Sequence, residues 1–442
     1  MGAPAYTAST TAINSRLNSD GTGASAARAP GTLTGRLISL DIIRGVVMVL
    51  MAIDHVRVFS GVPAGGPTPG IFFTRWITNF CAPAFIFLAG TAAYLHGRKL
   101  GNRRALARFL AVRGVWLVIL ELTVLRLAWT FNFDWAHYNL AGVIWVIGWC
   151  FVLLAPMVFL PTRAVAAIGI AIIALHNLAD YIHVTGVSDG PATWLAQVLY
   201  FGGPIPGGDD GGRLFVLYSI IPWIGVMAAG YALGAVMTLD APRRRRICLR
   251  IGIAATLLFV VLRAYDGYGD PRKWHAPRPA ATASATAPSG TATGATQATV
   301  NAPRRPPAAL RFIATTKYPA SLLFLLMTLG PTILLIPLVE GARGRLARTL
   351  ALFGRVPLFF YMVHIPLIHL LAVVVSLLTT GAVEPWLLGN HPAGIGPAPA
   401  DYVWSLGRLY LVWLVALGIL YVVCRWYAGV KQRSRNPLLS YL

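Results

Sequence analysis

The sequence predicts an all-α membrane protein, a polytopic bundle of about ten transmembrane helices with both termini cytoplasmic. Three observations predict it. Of the 442 residues, 56% are hydrophobic and only 12% charged, about half the charge of a typical soluble domain. Ten stretches approach the roughly 20 apolar residues that one helix needs to cross a bilayer. The basic residues gather in alternate connections between those stretches, which is how topology is written.

The predicted spans run over 37–59, 76–96, 106–127, 141–160, 163–183, 213–238, 247–264, 318–340, 350–379 and 404–426. Arg98, Lys99, Arg103, Arg104 and Arg108 fill the connection between spans 2 and 3, Arg163 that between 4 and 5, Arg243 to Arg246 that between 6 and 7, and Arg343, Arg345 and Arg348 that between 8 and 9. The C-terminal tail adds Arg425, Lys431, Arg433 and Arg435, whereas 128–140, 184–212 and 380–403 contain no Lys or Arg. The positive side is therefore the cytoplasmic side.

Residues 1–35 are rich in Ala, Ser, Thr and Gly and lack an apolar core, so a disordered cytoplasmic tail is expected there. Spans 1–7 then occupy 36–264. An extracytoplasmic linker follows at 265–317, whose centre, 277–309, is Ala/Thr/Pro low complexity, and spans 8–10 with a cytoplasmic tail complete 318–442. The linker carries Arg272, Lys273, Arg311 and Lys317 among others. Long segments translocate largely regardless of charge, so the assignment stands.

Net charge is +22, and 33 of the 37 basic residues are Arg. Their short clusters between apolar runs argue for topology and against nucleic acid as a partner. Cys81, Cys150, Cys248 and Cys424 lie in or beside apolar runs without a C-x-x-C pair, so neither a disulfide framework nor a structural zinc site is expected.

The most informative segment is LISLDIIRGVVMVLMAIDHVRVF, residues 37–59. Central Asp and Arg each cost about 2.5–3.5 kcal/mol on insertion, and an apolar residue returns about 0.3–0.6. Asp41 and Arg44 thus nearly cancel the thirteen Leu, Ile, Val and Phe residues of this span. The polar face must turn into the bundle or a wet cavity. Arg44 and His55 are eleven residues apart, three turns of one face, about 16 Å along the axis. Asp41 lies one turn below Arg44 and can pair with it, and Gly45 admits a close backbone or ligand. Two readings stand: a structural ion pair with His55 as an interfacial cap, or a polar seam joining an inner to an outer cavity.

The segment Ser39-Leu-Asp41, Arg44-Gly45 and Arg44-x10-His55 resembles the signature of integral-membrane acyltransferases. The chain as a whole is similar to bacterial proteins classed with the catalytic domain of heparan-α-glucosaminide N-acetyltransferase. The blocks that carry the likeness are SLDIIRGVVMVLMAIDHVRVF (39–59), FFTRWITNFCAPAFIFLAG (72–90), LYSIIPWIGVMAAGYALG (217–234), TTKYPASLLFLLMTLGP (315–331) and FGRVPLFFYMVHIPLIHLL (353–371). The resemblance implies transfer of an acetyl or other acyl group from cytoplasmic acyl-CoA to an extracytoplasmic acceptor, typically a sugar or glycolipid. The bilayer is expected as a partner, with a multi-pass place in a bacterial-type inner membrane, and no metal is expected. His55, Arg44 and Asp41 become the catalytic candidates. Arg44, Arg98, Lys99, Arg103 and Arg104 become the candidates for the CoA phosphates. Lysosomal relatives place a functional His in the loop after helix 1; here that loop reads SGVPAGGPTPG and has none, so the role falls to His55 through the Arg-x10-His likeness.

Candidates on the acceptor side are Asp54, His176, Asp180, Lys317 and His364. His176, Asp180 and His183 share a helix face, a spacing that suits zinc, a polar acceptor wall or plain packing. His364 lies mid-membrane beside Tyr361. Lys317 opens span 8 from outside, either snorkelling or anchoring an oxygen. Glu121 and Arg126 are expected to pair structurally with other helices. Trp129, Asn132, Trp135, His137 and Asn139 form an outer loop suited to stacking on a sugar or to an aromatic belt. Membrane acyltransfer is the leading function. A secondary transporter or flippase is the alternative, for which broken helices in matched halves are expected, and the sequence shows none.

Overall fold

The computed structural model describes residues 37–65, 68–181, 191–206, 212–275 and 306–434. The N-terminal tail, nearly all of the low-complexity linker centre and His183 lie outside the described residues. Helices dominate: α1 (Ile38–Phe59), α2 (Pro69–Trp76), α3 (Cys81–Leu100), α4 (Arg103–Leu120), α5 (Arg126–Thr130), α6 (Val143–Met157), α7 (Thr162–Leu175), α8 (Pro191–Ala196), α9 (Ile220–Met237) and α10 (Ala241–Tyr265). After the linker come α11 (Ala308–Ile313), α12 (Leu322–Leu338), α13 (Arg345–Arg355), α14 (Pro357–Thr380) and α15 (Leu406–Arg433).

Six helical segments among the described residues are long and apolar enough to cross a membrane: Pro69–Leu100, Thr162–Tyr181, Ile220–Met237, Ala241–Tyr265, Pro357–Thr380 and Leu406–Arg433. The other four predicted spans are also helical. However, α6 and α12 are shorter, and α1 and α4 each carry four charged residues. Exposure sorts the helices. Leu257 and Val261 on α10, and Leu411 and Val422 on α15, are about 60% exposed, the pattern of a surface solvated by hydrocarbon rather than water. By contrast α1 buries thirteen of its residues, including Asp41, and packs against α3, α13, α14 and α15.

Two features depart from the predicted spans. The stretch 213–238 does not begin as helix: Gly212–Val216 is a strand, β3, in a small sheet with β1 (Leu140–Ala141) and β2 (Gly203–Pro206). In the order β1-β3-β2, β1 runs parallel to β3 with Leu140 opposite Phe215, and β2 runs antiparallel with Gly203 opposite Val216. An apolar run that continues from strand into helix has no boundary in hydropathy alone. The predicted span 350–379 also breaks, because Val356 leaves helical geometry (φ −127°, ψ 51°) and Pro357 starts a new helix. Proline lacks the N–H needed to continue α13 and suits the first turn of α14.

Helix crossings are set by glycine. A Cβ on Gly45 would lie 1.9 Å from the carbonyl oxygen of Leu350, and one on Gly354 1.9 Å from that of Asp41. The backbones of α1 and α13 therefore touch, and the close approach that Gly45 permits is to another backbone. Glu121, in a π-helical turn after α4, accepts the amide hydrogens of Ile144 and Trp145 at 2.9 and 3.2 Å. It caps α6 from a neighbouring helix because the residue at the N-cap, Gly142, has no side chain to do so. Arg126 donates to the carbonyls of Tyr138 (3.2 Å), Asp134 (2.6 Å) and Asn132. Both charges thus hold backbone instead of pairing with an opposite charge on another helix.

Candidate active site

Near the C-terminal end of α1, His55 meets His364 of α14: Nδ1 of the first lies 2.6 Å from Nε2 of the second, with the rings stacked at 4.8 Å. The tautomers follow from the remaining partners. Nδ1 of His364 faces the carbonyl oxygens of Phe360 (3.0 Å) and Tyr361 (2.7 Å), and oxygen of this kind only accepts. His364 therefore carries its proton on Nδ1, and its bare Nε2 accepts the Nδ1–H of His55. That leaves Nε2 of His55 with a lone pair. Trp129 closes the ring edge-on at 4.8 Å and Tyr361 at 6.3 Å, so the imidazole is held on three sides.

His55 lines a cavity of about 30 Å³, room for about one water. Its polar wall is Asp54, Thr78, Cys81, Tyr218 and Lys317; Met51, Ala82, Phe85 and Val143 supply the apolar side. Asp54 accepts from Arg57 Nε at 2.9 Å and from Arg75 Nη1 at 3.3 Å. Arg75 also donates to Thr78 Oγ1 (3.1 Å), and Arg57 to the carbonyl of Val62 (3.0 Å). Three cations and one carboxylate surround the imidazole, a net positive setting.

Each wall has a local cause. Tyr218 is delivered by β3, whose following amides, Leu217 and Tyr218, donate to the carbonyl of Ala141 at 3.1 and 3.2 Å. Lys317 is delivered by Arg263, fully buried at the end of α10. Its guanidinium donates to the carbonyls of Arg272, Arg311, Phe312 and Ala314 at 2.8–3.0 Å, joining the two described ends of the linker. Asp270 completes the clasp by accepting from Thr316 and Ser321 at 2.8 Å.

The structure brings Asp54, His55 and Lys317 to one cavity, with His364 behind. It does not bring Asp41 and Arg44 there. Arg44 sits 3.5 Å from Asp41 and donates to the carbonyl of Leu88 (3.1 Å), and α13 covers this end of α1 through Gly45 and Gly354. The ion pair therefore joins α1 to α3. Arg98, Lys99, Arg103 and Arg104 are exposed at the connection of α3 and α4, and Arg103 donates to the carbonyl of Phe159 at 2.8 Å.

His176 and Asp180 are committed elsewhere. The ring of His176 bridges the carbonyls of Ile172 (2.9 Å) and Ala320 (2.8 Å). Asp180 accepts from Asn177 (2.8 Å) and Tyr200 (2.6 Å), and Asn177 caps Leu322 at 2.7 Å. These contacts pin the end of α7 to the start of α12. Among the described residues no group of three or more His, Cys, Asp or Glu is placed to hold a metal. In the loop after α5, Asn132 reaches the carbonyl of Leu388 (2.9 Å) and Trp135 that of Leu122 (3.1 Å), so both are tied down. Outside the spans, hydrogen bonding from His137 holds the Asp134 carboxyl below its usual range. Burial pushes His391 down to about 4.

Sequence reasoning did not single out Thr78, Cys81 or Tyr218, yet a signal existed. Of the ten residues that line the cavity, all but Val143 fall within the segments that carried the family resemblance. Dispersed segments that share one likeness converge on one space.

Comparison with curated proteins gave no match. Comparison with families matched residues 36–262 to the one described as heparan-alpha-glucosaminide N-acetyltransferase, catalytic. The match holds α1, the cavity wall on α3 and Tyr218; Lys317 and His364 lie beyond its end. Half of the chain is covered, including the helix that carries His55, and the protein belongs to the heparan-α-glucosaminide N-acetyltransferase catalytic family.

Proposed function

We propose that this membrane protein, of a family with acetyltransferase activity, moves an acetyl group from cytoplasmic acetyl-CoA to an extracytoplasmic hydroxyl or amine, with His55 as the reacting base or nucleophile. The observation that carries the reading is the 2.6 Å contact of His55 Nδ1 with His364 Nε2, which, with His364 Nδ1 facing two carbonyls, assigns the lone pair of His55 to Nε2. A neutral imidazole with a free Nε2 takes a proton from an acceptor or attacks a thioester carbonyl. In the first case the proton moves to Nε2 as the acceptor oxygen or nitrogen bonds to the acyl carbon and the thiolate leaves. In the second, Nε2 bonds to the acyl carbon as the thiolate leaves; the acceptor oxygen or nitrogen then bonds to that carbon as the N–acyl bond breaks, and the acceptor's proton passes to Nε2. His364 holds the ring and accepts the hydrogen bond that stabilises positive charge on it, the role a carboxylate has in other triads.

Lys317, with Arg75 and Arg57 behind Asp54, supplies positive charge where an oxyanion develops. Asp54 keeps those cations in place. The apolar wall of Met51, Ala82, Phe85 and Val143 favours a small acyl group. A sugar suits the acceptor through the family's description. Ten spans with both termini cytoplasmic, in a plasma membrane of the bacterial type, complete the reading and put His55 at the outer end of the donor's path.

The test is purified protein in detergent with labelled acetyl-CoA, wild type beside His55→Ala. Label on the protein or release of CoA, lost in the variant, supports the reading. Equal release from both proteins sinks it, and absence of acetyl-CoA binding to either turns attention to transport.

A further inference from the structure

A second space lies at the other end of α1, away from the cavity that His55 lines. It measures about 790 Å³ and is lined by Arg343, Arg345, Arg348, Arg355 and Arg425, with no Asp or Glu among its lining residues. All five arginines are exposed, and none forms a salt bridge among the described residues. Glu340, the nearest acid in sequence, is taken by Arg244. Five guanidinium groups around one opening repel one another unless an anion joins them.

Geometry makes this a built face. On α13, Arg345, Arg348 and Arg355 fall within about 80° of one another. The opposite side of that helix carries Leu350 and Gly354, which touch the backbone of α1. The helix is thus basic outward and anchored inward. Apolar surface adjoins the arginines: Leu346 is 73% exposed and Ile38 51%. On α15, Leu411, Val415, Val422 and Trp426 form one helical strip, 46–65% exposed, ending beside Arg425. That strip already faces hydrocarbon, as the exposed face of α10 does, so the arginines lie at the edge of lipid. A lipid satisfies both, and basic pockets between helices at the cytoplasmic surface are suited to acidic headgroups.

We propose that this pocket binds an anionic phospholipid of the inner leaflet, its phosphate on the arginines and its acyl chains along α15. The proposal uses the inward orientation of the basic clusters and does not depend on acyl transfer. Arg to phosphate is the strong, forked form of the hydrogen bond.

The test uses full-length delipidated protein in detergent, with phosphatidylglycerol or phosphatidylcholine added and retained lipid counted by native mass spectrometry. The wild type is expected to retain phosphatidylglycerol preferentially. The combined R348Q, R355Q and R425Q protein should retain roughly a hundredfold less. A protein carrying R245Q, R246Q and R250Q loses the same charge elsewhere and should retain it as the wild type does. Replacing Arg348, Arg355 and Arg425 by Lys should restore much of the retention. Equal retention of the two lipids by the wild type overturns the proposal, and this arm needs no variant. Equal loss in the control variant, or displacement of phosphatidylglycerol by acetyl-CoA, overturns it as well, the latter assigning the pocket to a soluble nucleotide.

Discussion

His55 donates a hydrogen bond to His364 across 309 residues of chain, because the other ring nitrogen of His364 is already bound to two backbone carbonyls. The direction of that bond decides which nitrogen of His55 has a lone pair. In the proposed reaction it gives the two histidines different roles, one reacting and the other positioning.

Replacing His364 with Phe should therefore damage turnover more than binding. With its acceptor gone, His55 is free to rotate or change tautomer. CoA release is expected to fall about 10²–10⁴-fold, with the KM for acetyl-CoA changed less than about threefold. His364→Gln, which keeps an oxygen acceptor, should recover part of the loss. Steady-state kinetics on both variants separates the two parameters, and a purely structural role would instead lower the amount of folded protein and leave the turnover of what folds unchanged.

Removal of the clasp that presents Lys317 should act at a distance. Arg263→Gln leaves several buried carbonyls without donors, at about 1–3 kcal/mol for each group left unsatisfied. Melting in detergent should drop sharply, and CoA release per folded molecule should fall as far as in Lys317→Ala. If the variant melts early but turns over normally, the linker does not place Lys317.

Much of this is legible in sequence, and the limits have physical reasons. Periodicity places Arg44 and His55 on one face of α1, and both do face inward. It carries no information on what packs there. The seam read from sequence runs from Arg44 to His55, but α13 lies against the lower half because Gly45 and Gly354 permit backbone contact. Lys317 is legible as a cation at the start of its span, and it lines the cavity. His364 is legible as a buried polar residue, and its partner is not, since no local pattern joins positions in α1 and α14. The run LFVLYSIIPW conceals β3, and with it the reason Tyr218 reaches the cavity.

Those glycines offer a direct contrast. Gly354→Ala forces a methyl group against the carbonyl of Asp41 and should cost about 1–3 kcal/mol or more. A methyl group at Gly418, on α15, would meet nothing within 4 Å. Gly418→Ala should be neutral or stabilising by up to about 1 kcal/mol, since Ala is the better helix former. Thermal melts of the two variants beside wild type check the difference, and similar melts for both would contradict the crossing.

Acidification should weaken the fold through His391, in the loop before α15. Burial lowers it from its ordinary 6.5 to about 4, and its Nε2–H donates to the carbonyl of Trp386 at 3.0 Å. Between those values the unfolded chain binds a proton that the folded protein excludes, so stability falls as pH drops from about 6.5 toward 4. Above 6.5 the group is neutral in both states and contributes no slope. His391→Gln should flatten part of the decline in melting temperature between pH 7 and pH 5; an unchanged decline would show that His391 does not contribute.

Nitrogen-15 NMR of histidine-labelled protein, with the His55 signals identified by their loss in His55→Gln, reads the tautomer itself. A protonated Nδ1 and an unprotonated Nε2 are expected on His55 at neutral pH, reversed or averaged in His364→Phe. A His55 protonated on Nε2 in the wild type would leave no lone pair for the chemistry and would contradict the assigned role.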